Sequence, residues 1–374
     1  NAGALHEIMH AIQGDIENVR AGCMWAATEG PLQRLEQAVN PLGWFYYRGY
    51  ASYQQGEITF EGLGDALAAD KTRSPSGTAN AQRTMARILA WRSLFRTYAY
   101  DLQASERLLD ESRAHLDGPA LAGEDAAFER ALISAQSGYN YLYADPQKAR
   151  QLFAEGLKLY RQIGHKLGMA DALLAVGRAD ARLGALEEAR EAMTQSVSLC
   201  RDMGDLVRES ESVAELGAVV ALRQFRFQEA EDLIRQSLTL APETNRHGAA
   251  YGLASLGGVQ LLTGQFVEAE TTSTQGIALW EDLGLRVWIL RTSFVLARAR
   301  LHAGEYRAAR ILAEEVVSQA RETGWGRGVS YAKLVLGEVA LARSAFAQSY
   351  QILQESGTDL KQASADPWDV NPSA

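Results

Sequence analysis

Cysteine is nearly absent from this chain: Cys23 and Cys200 are the two in 374 residues. They are too few for a disulfide framework and fit a reducing compartment. Proline is scarce as well, at 8 residues, and alternating Val/Ile/Thr stretches are hardly found. That excludes a protein of short strands and points to helices. No apolar run approaches the roughly 18 residues needed to span a bilayer, and no signal peptide is recognisable. The expectation is a cytoplasmic protein with no membrane partner. Positive charge is not in excess either, since Lys+Arg 37 against Asp+Glu 46 leaves a net charge of −9 with both signs spread along the chain. Phosphate contacts need concentrated positive charge, so direct nucleic-acid binding is not expected. A G-x-x-x-x-G-K-[ST] loop is missing, so this stretch should not hydrolyse nucleotide. The sequence opens on Asn1 and not on methionine, as an excised segment of a longer protein would.

Catalytic signals are thin. His6-Glu7-Ile8-Met9-His10 matches H-E-x-x-H literally, a pattern in which two histidines on one helical face ligate zinc and the glutamate activates water. The longer form of that motif needs glycine where Gln13 stands and histidine where Ile16 stands. Glu17 or Glu29 could supply a third ligand, but only five residues precede His6, too few for a strand that would align a substrate. An amphipathic first helix with two exposed histidines is the preferred reading, and zinc peptidase is kept as the remote alternative. His115, His165 and His247 are isolated, and no serine or cysteine sits in a nucleophile elbow. Paired acids such as Glu187-Glu188 follow turns, where negative charge favours a helix N-terminus. No catalytic residue, metal or cofactor is expected.

The informative feature is a repeat. Aligning QKAR, EEAR, QEAE, VEAE and RAAR puts alanines at Ala149, Ala189, Ala230, Ala269 and Ala309, spaced by 40, 41, 39 and 40 residues. A sixth unit has Ser349 in that place. About twelve residues before each anchor stands a small residue: Gly177, Gly217, Gly257, Ala297 and Gly337. Between the two comes a turn, in which Gly184, Gly264 and Gly304 can take the positive φ that ends a helix. Each unit therefore reads as helix, tight turn, helix, with small residues letting the paired helices approach closely. Upstream, residues 90–112 and 43–67 look like more degenerate pairs, the latter with Gly56 at the anchor. DKTRSPSGTAN (70–80) and DGPALAGED (117–125) read as loops.

These units resemble the tetratricopeptide repeat (TPR), strongly over residues 125–360. That resemblance implies an all-α fold, a right-handed α-α superhelix (solenoid) of TPR-like hairpins. The period near 40 departs from the family's usual figure of about 34, implying helices longer by about one turn at some ends. The organisation expected is connecting helices over 1–42, degenerate repeats over 43–116, regular repeats over 125–360 and a disordered tail over 361–374. Asp15, Glu17, Asn18, Arg20, Ala21 and Trp25, followed by GWFYYRGYASYQQG, are similar to the start of the C-terminal repeat domains of bacterial STAND-class signalling NTPases. That class includes multidomain LuxR-type and antibiotic-regulator-type transcription factors. The likeness implies a sensor arm, attached to an NTPase and winged-helix module if the chain is a fragment. The second reading is a free-standing TPR scaffold.

In such a stack the first helices line the concave side. Counting from the anchors places Asp171, Arg178, Arg182, Tyr251, Arg291, Phe294, Arg298, His302, Tyr331 and Glu338 there. Arg291, Phe294, Arg298 and His302 form a strip that would clamp a protein, an acidic peptide or a small inducer, guanidinium forks meeting carboxylate or phosphate. Tyr139, Tyr141 and Tyr143 read as packing between hairpins.

Overall fold

The computed structural model describes residues 14–49, 53–69, 78–99, 101–142, 144–241 and 245–362. Among these the chain is helical, without strands. It divides into two compact units, the first running to Glu209 and including residues 242–245, the second holding Ser210–Ala241 and the chain from Arg246 on. The first unit contains α1 (Ile16–Thr28), α2 (Leu32–Trp44), α3 (Tyr53–Ala69), α4 (Ala79–Tyr98), α5 (Leu102–Leu116), α6 (Ala127–Tyr141), α7 (Pro146–Gln162), α8 (Lys166–Arg182) and α9 (Leu186–Met203). The division falls within α10 (Leu206–Glu215). The second unit contains α11 (Phe227–Leu240), α12 (Arg246–Leu262), α13 (Phe266–Asp282), α14 (Arg286–His302), α15 (Tyr306–Glu322), α16 (Gly326–Ala342) and α17 (Phe346–Gln362).

The period follows from element lengths. From α12 onward every helix has 17 residues, and three-residue turns join them, which returns the pattern every 40 positions. Gly184, Gly264 and Gly304 occupy the turns with φ of 81°, 79° and 85°. In the sixth unit Ser344 takes φ 60° in their place. The anchors are sealed: Ala149, Ala189, Ala230, Ala269 and Ala309 are 0% exposed. A Cβ on Gly177 would lie 2.7 Å from Cγ of Met193 and 3.1 Å from the carbonyl of Ala189, so the partner helix leaves no room for one. Ser349, the exception among the anchors, donates its hydroxyl to the carbonyl of Gly337 at 2.8 Å and so satisfies the polar atom it buries.

Hydrogen bonds repeat with the helices. Ser112, Ser196 and Ser356 donate to the carbonyls of Ala86, Ala170 and Ser330 at 2.7, 2.8 and 2.8 Å, each reaching back 26 residues to the preceding first helix. Ion pairs between successive hairpins repeat as well, with their polarity reversed. Arg150 pairs with Asp180, and at the equivalent site Glu270 pairs with Arg300 at 2.8 Å.

The 41-residue spacing has a local cause. Leu216–Ala221 is a π-helical turn continuing α10, the form an α-helix takes when it absorbs one extra residue. It makes the step from Gly217 to Ala230 thirteen. Phe225 then closes the turn at φ 57°.

The first unit departs further from the regular pattern. The pair α4 and α5 carries Ser93 and Ser105 where later hairpins carry Gly and Ala; their hydroxyls lie 2.9 Å apart. Trp91 and Phe95 fill the space beneath α2 and α3, so that a Cβ on Gly56 would fall 2.8 Å from Phe95. Arg20 bonds Glu17 at 2.6 Å and its guanidinium lies 5.5 Å from the Tyr46 ring, while Arg34 covers Trp25 at 5.7 Å. The Glu-Asn-x-Arg and Trp positions thus tie α1 to α2 and to the π-helical turn Phe45–Gly49.

His165 caps α8, its Nδ1 accepting from the amide of Gly168 at 3.0 Å. Burial holds its pKa below the ordinary imidazole value, and burial does the same to His115.

Two outcomes are expected. Ala309→Leu should lower the melting temperature, overpacking costing about 1–3 kcal/mol or more, whereas Ser318→Leu on the exposed face of α15 should stay within about 0.5 kcal/mol of the parent. For His165 the depressed folded pKa means the imidazole's contribution is intact above about 6.5 and is lost as pH falls below that value toward the lower folded pKa. His165→Asn keeps the cap and removes the titration. Its melting temperature should therefore fall less than the parent's between about pH 8 and about pH 5.5; equal losses would show that His165 does not carry the effect.

Candidate functional site

The second unit holds a groove of about 150 Å³ bounded by α12, α14 and α16. Its walls recur at the repeat interval: Tyr251, Arg291 and Tyr331 occupy one register, 40 residues apart on three successive first helices. One wall is built around Trp288, which meets Tyr251 edge-on at 5.8 Å, stacks on Trp280 at 5.1 Å and lies 5.0 Å beneath the Arg291 guanidinium. The other wall is Phe294 against Tyr331 at 5.4 Å, with Trp325 edge-on behind at 6.5 Å.

The floor exists because α12 is poor in side chains. Ala254, Ser255 and Gly258 line it, and a Cβ on Gly258 would meet nothing within 4 Å. In the same register the next two first helices carry Arg298 and Glu338.

The groove's lining is mostly apolar. Among the described residues Arg291 is the one charged side chain in the lining. Trp325 is 5% exposed, and its indole N–H meets no acceptor among the described residues. An unsatisfied buried donor costs about 1–3 kcal/mol. Aromatic walls with one guanidinium suit an apolar side chain that carries an acceptor beside it.

The sequence-predicted residues separate into groups. Tyr251, Arg291, Phe294 and Tyr331 come together in the groove. Arg298 and Glu338 face each other across α14 and α16 at 3.9 Å, a long ion pair outside the lining. His302 lies flat on Phe266 at 5.0 Å, at the far end of α14. Trp288, Trp325 and Gly258 escaped the sequence reading, which counted polar and aromatic positions within each first helix. Trp325 stands in the turn before α16, and Gly258 contributes by being small.

The remaining three belong to the first unit. Asp171 is engaged by Arg208 at 3.2 Å, and the same guanidinium binds Asp205 and caps the Trp44 ring at 4.3 Å. That contact joins α2 to α10. Tyr98 sits in the same unit, its hydroxyl 2.7 Å from that of Tyr47 and its ring stacked on Tyr53 at 4.6 Å. Burial, then Tyr47 and Tyr53, push its phenol well above the ordinary range, and the positive charge of Arg178 opposes them. Arg182 is half-buried in the last turn of α8. Of the tyrosine trio, Tyr139 packs edge-on against Phe153 at 5.1 Å and Tyr141 donates to Glu106 at 2.5 Å. Tyr143 lies outside the described residues.

His6 and His10 also lie outside the described residues. Among those that are described, no three His, Cys, Asp or Glu side chains stand close enough to hold a metal ion, and no helix is long and apolar enough to cross a membrane.

No protein-family model matches the sequence, and no curated protein matches it. Solved structures do share the fold. The apo form of the quorum sensor NprR from B. thuringiensis superimposes with a TM-score of 0.63 at 13% identity, over 93% of this chain and 99% of that one. The Rap conjugation gene regulator of plasmid pLS20 in complex with the Phr* peptide gives 0.60 at 13% identity, covering 90% and 99%. A STAND protein with a tetratricopeptide repeat sensor from Pyrococcus horikoshii gives 0.53 at 11% identity, covering 83% of this chain and 55% of that one. At these identities the likeness is one of fold: the chain is an all-α array of TPR-like helical hairpins.

Proposed function

We propose that this chain is a non-catalytic, peptide- or protein-binding repeat domain, the sensor arm of a bacterial cytoplasmic signalling protein of STAND type. The ligand enters the groove between α12, α14 and α16, on the face of the first helices. An apolar side chain lies between Trp288 and Phe294, and its neighbouring acceptor meets Arg291. Binding then relieves autoinhibition of the attached NTPase or mediates its assembly. The observation that carries the reading is the open space over Gly258 beneath an aromatic wall with one guanidinium. Two likenesses of fold support it: a regulator in complex with the Phr* peptide and a STAND protein whose repeats are called a sensor. A free-standing scaffold would use the same groove. A phosphate-loop domain encoded upstream of Asn1 favours the sensor; a reading frame without one favours the scaffold.

Filling the groove is the direct test. Gly258→Leu adds a side chain into open space and removes a helix-interior glycine, so the fold should be retained or stabilised by up to about 1 kcal/mol. Peptides mixing apolar and acidic residues, selected from a display library on the parent protein, should lose at least about tenfold in affinity on this variant and on Arg291→Ala, read by Trp288 fluorescence. Arg298→Ala added to Arg291→Ala asks whether the strip extends along α14. Undiminished affinity in Gly258→Leu would move the binding site elsewhere.

A further inference from the structure

The residue that follows the small helix-contact position differs sharply from unit to unit. After Gly177, Ala297 and Gly337 it is long and charged, as Arg178, Arg298 and Glu338; after Gly217 and Gly257 it is Ala218 and Gly258. These two small residues belong to neighbouring hairpins of the second unit, and both line the groove. Ala218 reaches it from the π-helical turn Leu216–Ala221. The opening is therefore a property of two adjacent repeats and not of the fold at large.

What the two small residues leave open has a definite size and lining. Its volume is about 150 Å³, and an apolar cavity of about that volume takes one benzene ring. An indole needs more. The walls are themselves rings: Trp288 on one side, with Tyr251 edge-on to it at 81°, and on the other Phe294, tilted 31° from Tyr331. Such walls favour a further ring, because edge-to-face and offset contacts add to the gain from buried area. An aliphatic group of equal volume lacks that addition. The charge in the lining is the Arg291 guanidinium, held 5.0 Å from the Trp288 ring. Stacked in this way, its planar fork is preset for a carboxylate. Among the described residues the lining holds no carboxylate of its own, so no like charge in it opposes a bound acid.

We propose that the groove between α12, α14 and α16 is selective for a single six-membered aromatic ring with a carboxylate a few bonds away. That chemistry is shared by a small aryl-alkanoic acid and by phenylalanine at the carboxyl end of a peptide. Ala218 and Gly258 set the size of the ring, and Arg291 selects the acid. The inference rests on the groove being the ligand site and names what that site takes.

Calorimetric titration with small probes tests it without any peptide. Phenylpropanoate should bind the parent protein at least about threefold tighter than cyclohexylpropanoate, and at least about tenfold tighter than indolepropanoate or the uncharged phenylpropanol. Arg291→Ala should bring the phenyl acid down to the alcohol's affinity and leave the alcohol unaffected, while Gly258→Leu should remove binding of both. Cyclohexyl or indolyl acids that match the phenyl acid overturn the proposal, as does an Arg291→Ala loss shared equally by acid and alcohol. Phenylpropanoate that binds Gly258→Leu undiminished lies elsewhere and overturns it too. A short peptide ending in phenylalanine, its carboxyl-terminal amide, and that amide with aspartate added after the ring separate a chain end from a side chain as the source of the acid. The plain amide should lose at least about tenfold; one that binds as tightly as the free acid sinks the assignment. Library-selected peptides that depend on Gly258 and Arg291, with no aryl acid bound up to about 10 mM, keep the groove as the ligand site and overturn the ring-and-acid assignment alone. Selected peptides indifferent to Gly258→Leu overturn both.

Discussion

The close approach of paired helices at the small-residue contact is the constraint on which this architecture depends. With alanine at the anchor fully sealed and glycine or alanine opposite, the two backbones are near enough for a carbonyl of one helix to lie within about 3 Å of where the other would carry a Cβ. Larger residues then interdigitate around that contact, as Met193 does over Gly177 and Leu353 over Gly337. Because the contact is fixed by sterics, everything else at the interface is free to vary. The tie between hairpins reads Arg150 to Asp180 in one unit and Glu270 to Arg300 in another, opposite in sign at the same place. Polarity is what the position demands. Even the anchor varies where its polar atom finds a partner, as Ser349 and Ser105 do.

Sterics of this kind are readable from a single sequence, because small residues at fixed spacing are rare by chance. The hairpins from residue 125 onward, their turns and their period were legible for that reason. The π-helical turn at Leu216–Ala221 was visible as a spacing of 41, but its nature was not: one inserted residue can be absorbed in a turn or within a helix, and only backbone geometry decides. The pair α4 and α5 was harder to align, since serines replace glycine and alanine and their hydroxyls are satisfied by one another, by Thr97 and by Asn140, 35 residues on.

The candidate groove was legible in part. Tyr251, Arg291 and Tyr331 follow from the period alone, since one register repeated three times must form one strip. What the period does not reveal is depth. Arg298 and Glu338 share a register with Gly258 and so seemed equal members of a surface, yet the two charged side chains occupy each other while the glycine leaves the space open. Trp325 belongs to a turn that helix counting passes over. In the first unit the equivalent strip is spent differently: Arg208 bridges Asp171 and the Trp44 ring, a long-range contact between α10 and α2 that no local pattern announces.

Why α12 tolerates its glycines separates structure from function. Each glycine in a helix interior costs about 0.5–1 kcal/mol relative to alanine, so each needs a reason. For Gly252 the reason is packing, since a Cβ there would lie 2.7 Å from Leu238. Gly257 has the same excuse, at 2.4 Å from the Ser273 hydroxyl. Gly258 has none: its missing side chain faces empty space between two aromatic walls. Alanine or a larger residue would stabilise α12 and narrow the groove in the same step. A position where local stability is given up without any packing return is where a site for a ligand is to be sought.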